Sequence, residues 1–100
     1  MLRIIAGKHR GRRIETKESK NIRPTSGMAK GAIFNILAHG SFGPNGSPPL
    51  EGQPVLDLFC GTGALGLEAL SQGAIHAVFV EQDLKAARVC QGNILSLIHI

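Results

Sequence analysis

The sequence has 100 residues and a mass of 10.6 kDa, which suffices for one small domain and excludes a second full domain. Hydrophobic residues make up 43% and charged residues 18%, a balance typical of a globular chain. The net charge of +4 is unevenly distributed, because residues 1–30 hold nine of the eleven Lys and Arg, whereas residues 51–100 hold two basic and five acidic residues. The N-terminal third is therefore predicted to contact polyanions.

The first predicted element is a small basic β-hairpin within residues 1–23. Two short β-prone pieces, LRIIAG and GRRIET, enclose GKHRG, whose glycines suit a tight turn. No aromatic residue is available there for stacking on bases, so we expect the segment to contact a phosphate backbone without reading a base sequence. A solvated charged surface or a flexible arm is the alternative.

An amphipathic helix is predicted next, followed by a linker. Pro24 disfavours helix before it, Thr25 or Ser26 can cap the helix, and Gly40 ends the pattern. The apolar residues that recur at helical spacing, and that we expect to face a core, are Ala29, Ala32, Ile33, Ile36 and Leu37. Residues 40–53, rich in Gly, Pro and Ser, are predicted to separate the basic residues 1–39 from a core formed by residues 54–100.

From residue 54 onward the pattern alternates between strand and helix. VLDLF is predicted as a strand, residues 60–64 as a turn, and residues 65–72 as a helix that ends at Gly73. A second strand, AVFVEQD, and a second helix at residues 84–95 follow. This alternation predicts parallel strands with helical crossovers, the start of a doubly wound, Rossmann-like α/β sheet.

The turn after the first of these strands has the pattern G-x-G-x-x-G, which is typical of a loop that binds a nucleotide-like cofactor. Glu81 lies 20 residues after Gly61 and suits ribose hydroxyls in NAD or S-adenosylmethionine enzymes. Asp57 discriminates between the two cofactors, because a carboxylate repels a diphosphate and attracts the sulfonium and ammonium groups of S-adenosylmethionine. We therefore expect S-adenosylmethionine, with Asp57 at its amino-acid end. The alternative for Asp57 is a structural carboxylate that accepts backbone N–H groups of the turn.

Other positions around the turn also have two interpretations. Gly61 and Gly63 are expected to let the backbone lie against the cofactor, whereas Gly66 is expected to allow close packing of helix on strand. Asp83 could contact the adenine edge, although capping of the helix that begins at residue 84 is the favoured role.

The cysteine and histidine patterns predict no metal site. Cys60 and Cys90 lie thirty positions apart and fit neither a disulfide framework nor a C-x-x-C pair, so we expect two buried, unreactive thiols in a reducing cytoplasm. The four histidines have no metal-ligand spacing. No apolar run is long enough for a membrane span, and the N-terminus does not have the pattern of a signal peptide.

Several motifs together resemble one known family. RIIAGKHRGRRI, RPTSG, AIFNIL, VLDLFCGTGALGLEALSQGA and VFVEQD occur in the order typical of the bacterial RsmD-type family, over residues 1–94. The resemblance implies a class I S-adenosylmethionine-dependent methyltransferase that modifies the exocyclic N2 amino group of a guanine in 16S ribosomal RNA, free or in the assembling small subunit. It implies cofactor contacts from Asp57, Gly61, Gly63 and Glu81. We also predict contacts of the cofactor with Phe59 and Asp83. The resemblance also implies RNA contacts from Arg3, Lys8, Arg10, Arg12, Arg13 and Arg23.

The largest departure from that family is a missing motif. The Asn/Asp-Pro-Pro-Tyr/Phe motif, which binds the target amino group and stacks on the flipped base, is absent, and the one Pro-Pro, in NGSPPLEG, has no matching neighbours. The apolar ending NILSLIHI carries no helix stop signal. We expect the chain to be the N-terminal half of a longer methyltransferase, with no catalytic residue assigned and no methyl transfer by itself.

Three other functions stay open at this level. An NAD-dependent oxidoreductase shares the glycine turn, and a DNA adenine methyltransferase shares the cofactor signature. A non-catalytic RNA-binding module is consistent with the basic N-terminal third.

Overall fold

The computed structural model describes residues 2–16, 27–40, 44–46 and 49–98, which form an α/β fold. The strands formed by these residues are, in chain order, β1 (Leu2–Arg3), β2 (Arg13–Ile14), β3 (Pro54–Leu58) and β4 (His76–Val80). The helices are α1 (Gly27–His39), α2 (Ala64–Ser71) and α3 (Leu84–Ile98), with a short 3-10 helix at Pro44–Gly46. β3 and β4 pair in parallel and are connected through α2, as the alternating pattern predicts.

The bounds of four predicted elements need correction. β3 and α2 each begin and end one residue earlier than predicted, so Phe59 lies outside the strand. The second strand of the parallel pair ends at Val80, so residues 81–83 lie in a loop and not in the strand. The last helix continues to Ile98, three residues beyond the predicted end.

The predicted basic hairpin is present and packs against the helices. β1 and β2 are antiparallel, with Leu2 opposite Ile14, and the Ile4 N–H donates to the carbonyl of Arg12 at 2.9 Å. Ile4 and Ile14 are buried together with Leu67 of α2 and Leu97 of α3. The hairpin thus shares a hydrophobic core with the second half of the chain, because its inward-facing side chains, including the partly buried Leu2, are apolar.

Helix α1 begins and ends near the predicted positions, but its buried face is not the predicted one. Ile33 and Ile36 are exposed, as are the two alanines of the predicted stripe, whereas Lys30 and Phe34 are buried and Leu37 is partly buried. Positions 30, 34 and 37 follow helical spacing, so they form one face of α1. That face turns inward because Lys30 has a buried partner in α2.

The buried partner of Lys30 is Glu68, whose side chain has no exposed surface. The Lys30 ammonium lies 3.2 Å from Glu68 Oε1 and donates to the carbonyl of Arg3 at 2.9 Å. The Glu68 carboxylate also accepts the backbone N–H groups of Ile5 at 2.8 Å and Ala6 at 3.2 Å. One buried charge pair therefore joins the segment after β1, α1 and α2.

The pair β3–β4 has one covered face and one open face. Val55 packs against the cluster formed with α1 and α2, and Phe79 packs against the cluster formed with the hairpin, α2 and α3. The alternate side chains face solvent, with exposed fractions of 45–60% at Leu56, Leu58, Val78 and Val80. Among the described residues, no helix is long and apolar enough to cross a membrane.

Removal of the Glu68 carboxylate is expected to destabilise the fold strongly. Glu68→Ala leaves the Lys30 ammonium buried without its counter-charge and two backbone N–H groups without acceptors, so we expect the free energy of unfolding to fall by about 3–5 kcal/mol. Urea denaturation followed by circular dichroism measures this change. Glu51→Ala, which removes an exposed carboxylate, is the matched control, and equal midpoints for the two variants would contradict the assigned role of Glu68.

Candidate functional site

The carboxyl ends of β3 and β4 bring the predicted cofactor residues together. The strand register places Asp57 opposite Phe79 and Leu58 opposite Val80. The Cys60 N–H then donates to the carbonyl of Val80 at 2.9 Å, so the loop after β3 is connected to the end of β4. Ligand sites in open α/β sheets lie at this edge, because the loops that follow parallel strands meet there.

Glu81 connects the glycine loop, residues 59–63 between β3 and α2, to the start of α3. Its Oε1 accepts the Gly61 N–H at 2.8 Å, and its Oε2 accepts the Asp83 N–H at 2.8 Å. A carboxylate offers about four acceptor positions, so each oxygen retains a lone pair for a further donor such as a ribose hydroxyl. Glu81 is thus positioned to accept donors from a ligand while it holds the loop.

Asp57 has a structural hydrogen bond at one of its two carboxylate oxygens. Its Oδ2 accepts the Gly66 N–H of α2 at 3.0 Å, the kind of bond expected if Asp57 is a structural carboxylate. Burial raises the pKa of Asp57 above its usual 3.8, and the Gly66 hydrogen bond opposes this shift. Within the described part of the chain, Oδ1 receives no hydrogen bond. Contact of this oxygen with a ligand stays a prediction.

The three glycines of the turn have different surroundings. A Cβ added at Gly61, whose φ is +57°, would meet no atom within 4 Å, so the backbone there faces open space. At Gly63, with φ +86°, a Cβ would lie 2.7 Å from Cys90 Sγ, and at Gly66 it would overlap the Phe79 ring. The expected packing role of Gly66 is confirmed. Gly63 also packs closely, against α3, and its contact with a cofactor stays a prediction.

Phe59 combines an exposed ring with a strained backbone. Its φ of +55° lies in the left-handed region, which costs a residue with a Cβ about 1–2 kcal/mol. The residue is 83% exposed, so packing against the described residues offsets little of this cost. Backbone strain of this kind is concentrated at functional sites.

Asp83 caps α3, which was its favoured role. Its Oδ1 accepts the N–H groups of Lys85 at 2.9 Å and Ala86 at 3.3 Å, in the first turn of the helix. Contact of Asp83 with adenine stays a prediction.

A cleft of about 240 Å³ lies between the glycine loop, β4 and α3. Its lining includes two residues of the loops and one of β4, together with side chains of α3: Cys60, Phe79, Glu81, Ala87, Cys90, Gln91 and Ile94. Our sequence interpretation missed the α3 residues. Their spacing at positions 87, 90, 91 and 94 places them on one helix face, a signal that could have identified them.

The two cysteines lie close together, although thirty positions separate them. Cys90 is buried, as expected, while Cys60 is only partly buried, and their sulfur atoms are 3.7 Å apart. Burial raises the pKa of Cys90 to about 12 and also raises the pKa of Cys60. Among the described residues, no cluster of His, Cys, Asp and Glu has the arrangement of a metal site.

The predicted RNA-facing residues divide into two groups. Lys8, Arg10 and Arg13 are exposed on the hairpin. Arg3 donates to the carbonyl of Gly11 at 3.0 Å and Arg12 to that of Ser96 at 3.2 Å, so these two side chains also serve the fold. Arg23 lies outside the described residues.

The hairpin turn is fixed to the end of α2. The Lys8 N–H donates to the carbonyl of Ser71 at 2.8 Å, and the His9 N–H donates to Ser71 Oγ at 2.9 Å. The glycine loop lies at the other end of α2, roughly 12 Å away for a helix of eight residues. The basic turn and the glycine loop therefore lie at opposite ends of α2.

Asn93 of α3 connects β2 to the glycine loop, which our sequence interpretation did not foresee. Its Oδ1 accepts the Glu15 N–H at 2.8 Å, and its Nδ2 donates to the carbonyls of Glu15 at 3.0 Å and Thr62 at 2.9 Å. No local pattern marks Asn93, because its partners are distant in sequence.

The model of the family described as Conserved hypothetical protein 95 matches residues 2–99. The chain belongs to this family. It is 36% identical over 96 residues to Ribosomal RNA small subunit methyltransferase D of Escherichia coli K12, a match that covers 96% of this chain and 44% of that protein. A Bacillus subtilis protein described as a candidate rRNA methyltransferase, YlbH, is also 36% identical over 96 residues, with coverage of 96% and 47%. The resemblance to the RsmD-type family is confirmed.

Solved structures agree with this relationship. A chain from Escherichia coli described as a candidate methyltransferase, yhhF, has a TM-score of 0.78 and 34% identity, covering 97% of this chain and 47% of that one. A hypothetical protein of Thermus thermophilus, TTHA0928, has a TM-score of 0.72 and 35% identity, with coverage of 95% and 49%. The predicted methyltransferase-type α/β fold is confirmed, and the chain spans a little under half the length of these relatives.

Two Gly→Ala exchanges test the packing of the glycine turn. In Gly66→Ala the new methyl group overlaps the Phe79 ring, so we expect the free energy of unfolding to fall by about 1–3 kcal/mol. In Gly92→Ala, on the exposed side of α3, the methyl group meets no atom within 4 Å, and we expect a gain of about 1 kcal/mol from helix propensity. Thermal unfolding of both variants measures the difference, and a stable Gly66→Ala variant would contradict the assigned contact.

Proposed function

We propose that this chain forms the cofactor-binding and RNA-contacting part of an S-adenosylmethionine-dependent methyltransferase acting on small-subunit ribosomal RNA. The observation that carries the proposal is the position of Glu81, which holds the Gly61 amide and the start of α3 at the carboxyl ends of two parallel strands. The Escherichia coli relative is named a ribosomal RNA small subunit methyltransferase, which supports the same substrate class for this chain.

The residues at this edge of the sheet fit that cofactor. Gly61 leaves open space beside its backbone, and Glu81 retains acceptor positions for a ribose. Asp57 supplies a negative charge beside the loop, which suits a cationic ligand and disfavours the diphosphate of NAD. When bound, the cofactor supplies a methyl group on a positively charged sulfur.

We assign Asp57 to the amino-acid end of the cofactor. Its Oδ2 is held by the Gly66 N–H, so the carboxylate has a fixed orientation and Oδ1 can accept hydrogen bonds from an ammonium group. A cation at this position favours the charged carboxylate, which partial burial otherwise disfavours. Gly63, Phe59 and Asp83 are proposed as further contacts of the same ligand.

The target is proposed to be the N2 amino group of a guanine, in free RNA or in the assembling small subunit in the cytoplasm. This part of the proposal rests on the family resemblance of the hairpin and of the AIFNIL segment. The 100-residue sequence holds no Asn/Asp-Pro-Pro-aromatic motif, so we expect it to bind ligand and RNA without transferring methyl groups by itself.

The exposed basic residues of the hairpin are proposed to contact RNA phosphates. Lys8 and Arg10 project from a turn whose backbone is bonded to Ser71, and Arg13 projects from β2, so little backbone entropy is lost on binding. Because the turn lies at the far end of α2 from the glycine loop, these residues orient the RNA and do not approach the methyl group.

Ligands that lack part of the cofactor test the two carboxylates separately. Asp57→Asn keeps an acceptor for Gly66 and removes the charge, so we expect affinity for S-adenosylmethionine and S-adenosylhomocysteine to fall about tenfold or more. Methylthioadenosine has no amino-acid group and is expected to bind equally to this variant. Glu81→Gln is expected to weaken the binding of all three ligands, because each of them contains the ribose.

Isothermal titration calorimetry measures these affinities, with Glu51→Gln as a control at an exposed carboxylate. Burial raises the pKa of Asp57, so its carboxylate is protonated at a higher pH than that of an exposed aspartate. As the pH falls, the wild-type chain is therefore expected to begin losing affinity for S-adenosylmethionine at that higher pH. Tighter binding of NAD than of S-adenosylmethionine, or unchanged affinity in both variants, would refute the cofactor assignment.

Salt dependence tests the RNA surface. The double variant Lys8→Gln/Arg10→Gln is expected to bind RNA more weakly and to lower the salt slope of the affinity by about 1 for each phosphate contact removed. Lys85→Gln/Arg88→Gln also removes two positive charges, in this case from α3. It is expected to bind RNA with the affinity of the unchanged chain. Fluorescence anisotropy with a labelled rRNA fragment measures both, and equal losses in the two variants would contradict a specific role for the hairpin.

A further inference from the structure

Two thiols are in contact in the wall of the cleft beside the glycine loop. Cys60 lies in the loop after β3, and Cys90 lies on α3, one turn after Ala86 and Ala87. The Cys60 thiol donates a hydrogen bond to Cys90 Sγ at 3.7 Å, and both residues line the cleft together with Glu81. Neither thiol has a role in the cofactor or RNA contacts proposed above.

We propose that Cys60 and Cys90 form a reversible disulfide when the chain meets a hydroperoxide, and that this bond restrains the glycine loop against α3. A disulfide needs the sulfur atoms about 1.7 Å closer than they are here. The Cys60 backbone is held by hydrogen bonds with Val80 and Gly63, so rotation of the two side chains must supply most of this movement. The disulfide itself is independent of the cofactor assignment.

The chemistry proceeds in two steps, and Cys60 reacts first because it is the more exposed of the two residues. The Cys60 thiolate attacks the outer oxygen of the hydroperoxide, the O–O bond breaks, and water or an alcohol leaves with the proton, giving a sulfenic acid. Cys90 sulfur then attacks Cys60 sulfur, the S–O bond breaks, and hydroxide leaves as water with the Cys90 proton. The two thiols thus lose two electrons to one hydroperoxide.

The surroundings of the pair determine the rate of this reaction. Burial raises the pKa of both thiols, and the nearby carboxylates Asp57 and Glu81 raise them further. The thiolate is the reactive form, so oxidation is slow at neutral pH and faster by about tenfold for each unit of increasing pH.

Formation of the bond has two expected consequences. The first is a higher unfolding temperature, by about 5 °C or more, because the bond closes a loop of thirty residues in the unfolded chain. The second, which rests on the proposed function, is a loss of about tenfold in affinity for S-adenosylmethionine, because the loop that holds Gly61 moves toward α3 and narrows the cleft.

Treatment of the 100-residue chain with hydrogen peroxide at mildly alkaline pH tests the proposal. Intact mass spectrometry is expected to find a monomer lighter by two hydrogen atoms, with no thiol left for iodoacetamide, and dithiothreitol is expected to reverse the change. Cys60→Ser, at the partly exposed position, is expected to fold and to give neither the mass loss nor the higher unfolding temperature. Cys90→Ala removes the second sulfur atom and is expected to give the same two results.

Oxygen addition to either thiol without a Cys60–Cys90 bond would overturn the proposal. A disulfide that leaves both the unfolding temperature and ligand affinity unchanged would overturn the restraint of the loop. If neither the reduced nor the oxidised chain binds S-adenosylmethionine, the proposed function fails, while the mass and unfolding temperature still decide whether the disulfide forms.

Discussion

The buried pair of Lys30 and Glu68 is the interaction on which the rest of the arrangement depends. Two charges without solvent are costly unless each has several partners, and here the carboxylate accepts two backbone N–H groups in addition to the ammonium. The partners belong to three segments that are distant in sequence. The hairpin, α1 and α2 can therefore reach their observed positions only together.

This pair also accounts for which parts of the fold could be predicted. The glycine turn, the end of α1 and the cap at Asp83 follow local rules of capping and backbone conformation, so the sequence was sufficient for them. The buried face of α1 was predicted wrongly, because a hydrophobic pattern treats Lys30 as an exposed residue and Glu68 lies 38 positions further along the chain. Which face of such a helix is buried depends on pairing between distant residues. Hydrophobic periodicity carries no information about that pairing.

The candidate site divides in a similar way. Glu81 and Gly61 could be identified from their spacing, since parallel strands that end together place the following loops side by side. The contact between Cys60 and Cys90 and the bridge from Asn93 to Thr62 and Glu15 depend on how α3 lies across the sheet. Short motifs hold no information about that orientation, so these features appear only in three dimensions.

The open face of β3 and β4 affects how the chain behaves in concentrated solution. Leu56, Leu58, Val78 and Val80 place adjacent apolar side chains in contact with water, on a two-stranded sheet that the described residues do not extend at either edge. Attraction between such faces favours self-association, while the net charge of +4 keeps copies apart. Because added salt screens that repulsion, the colloidal stability of the chain is expected to decrease as ionic strength rises.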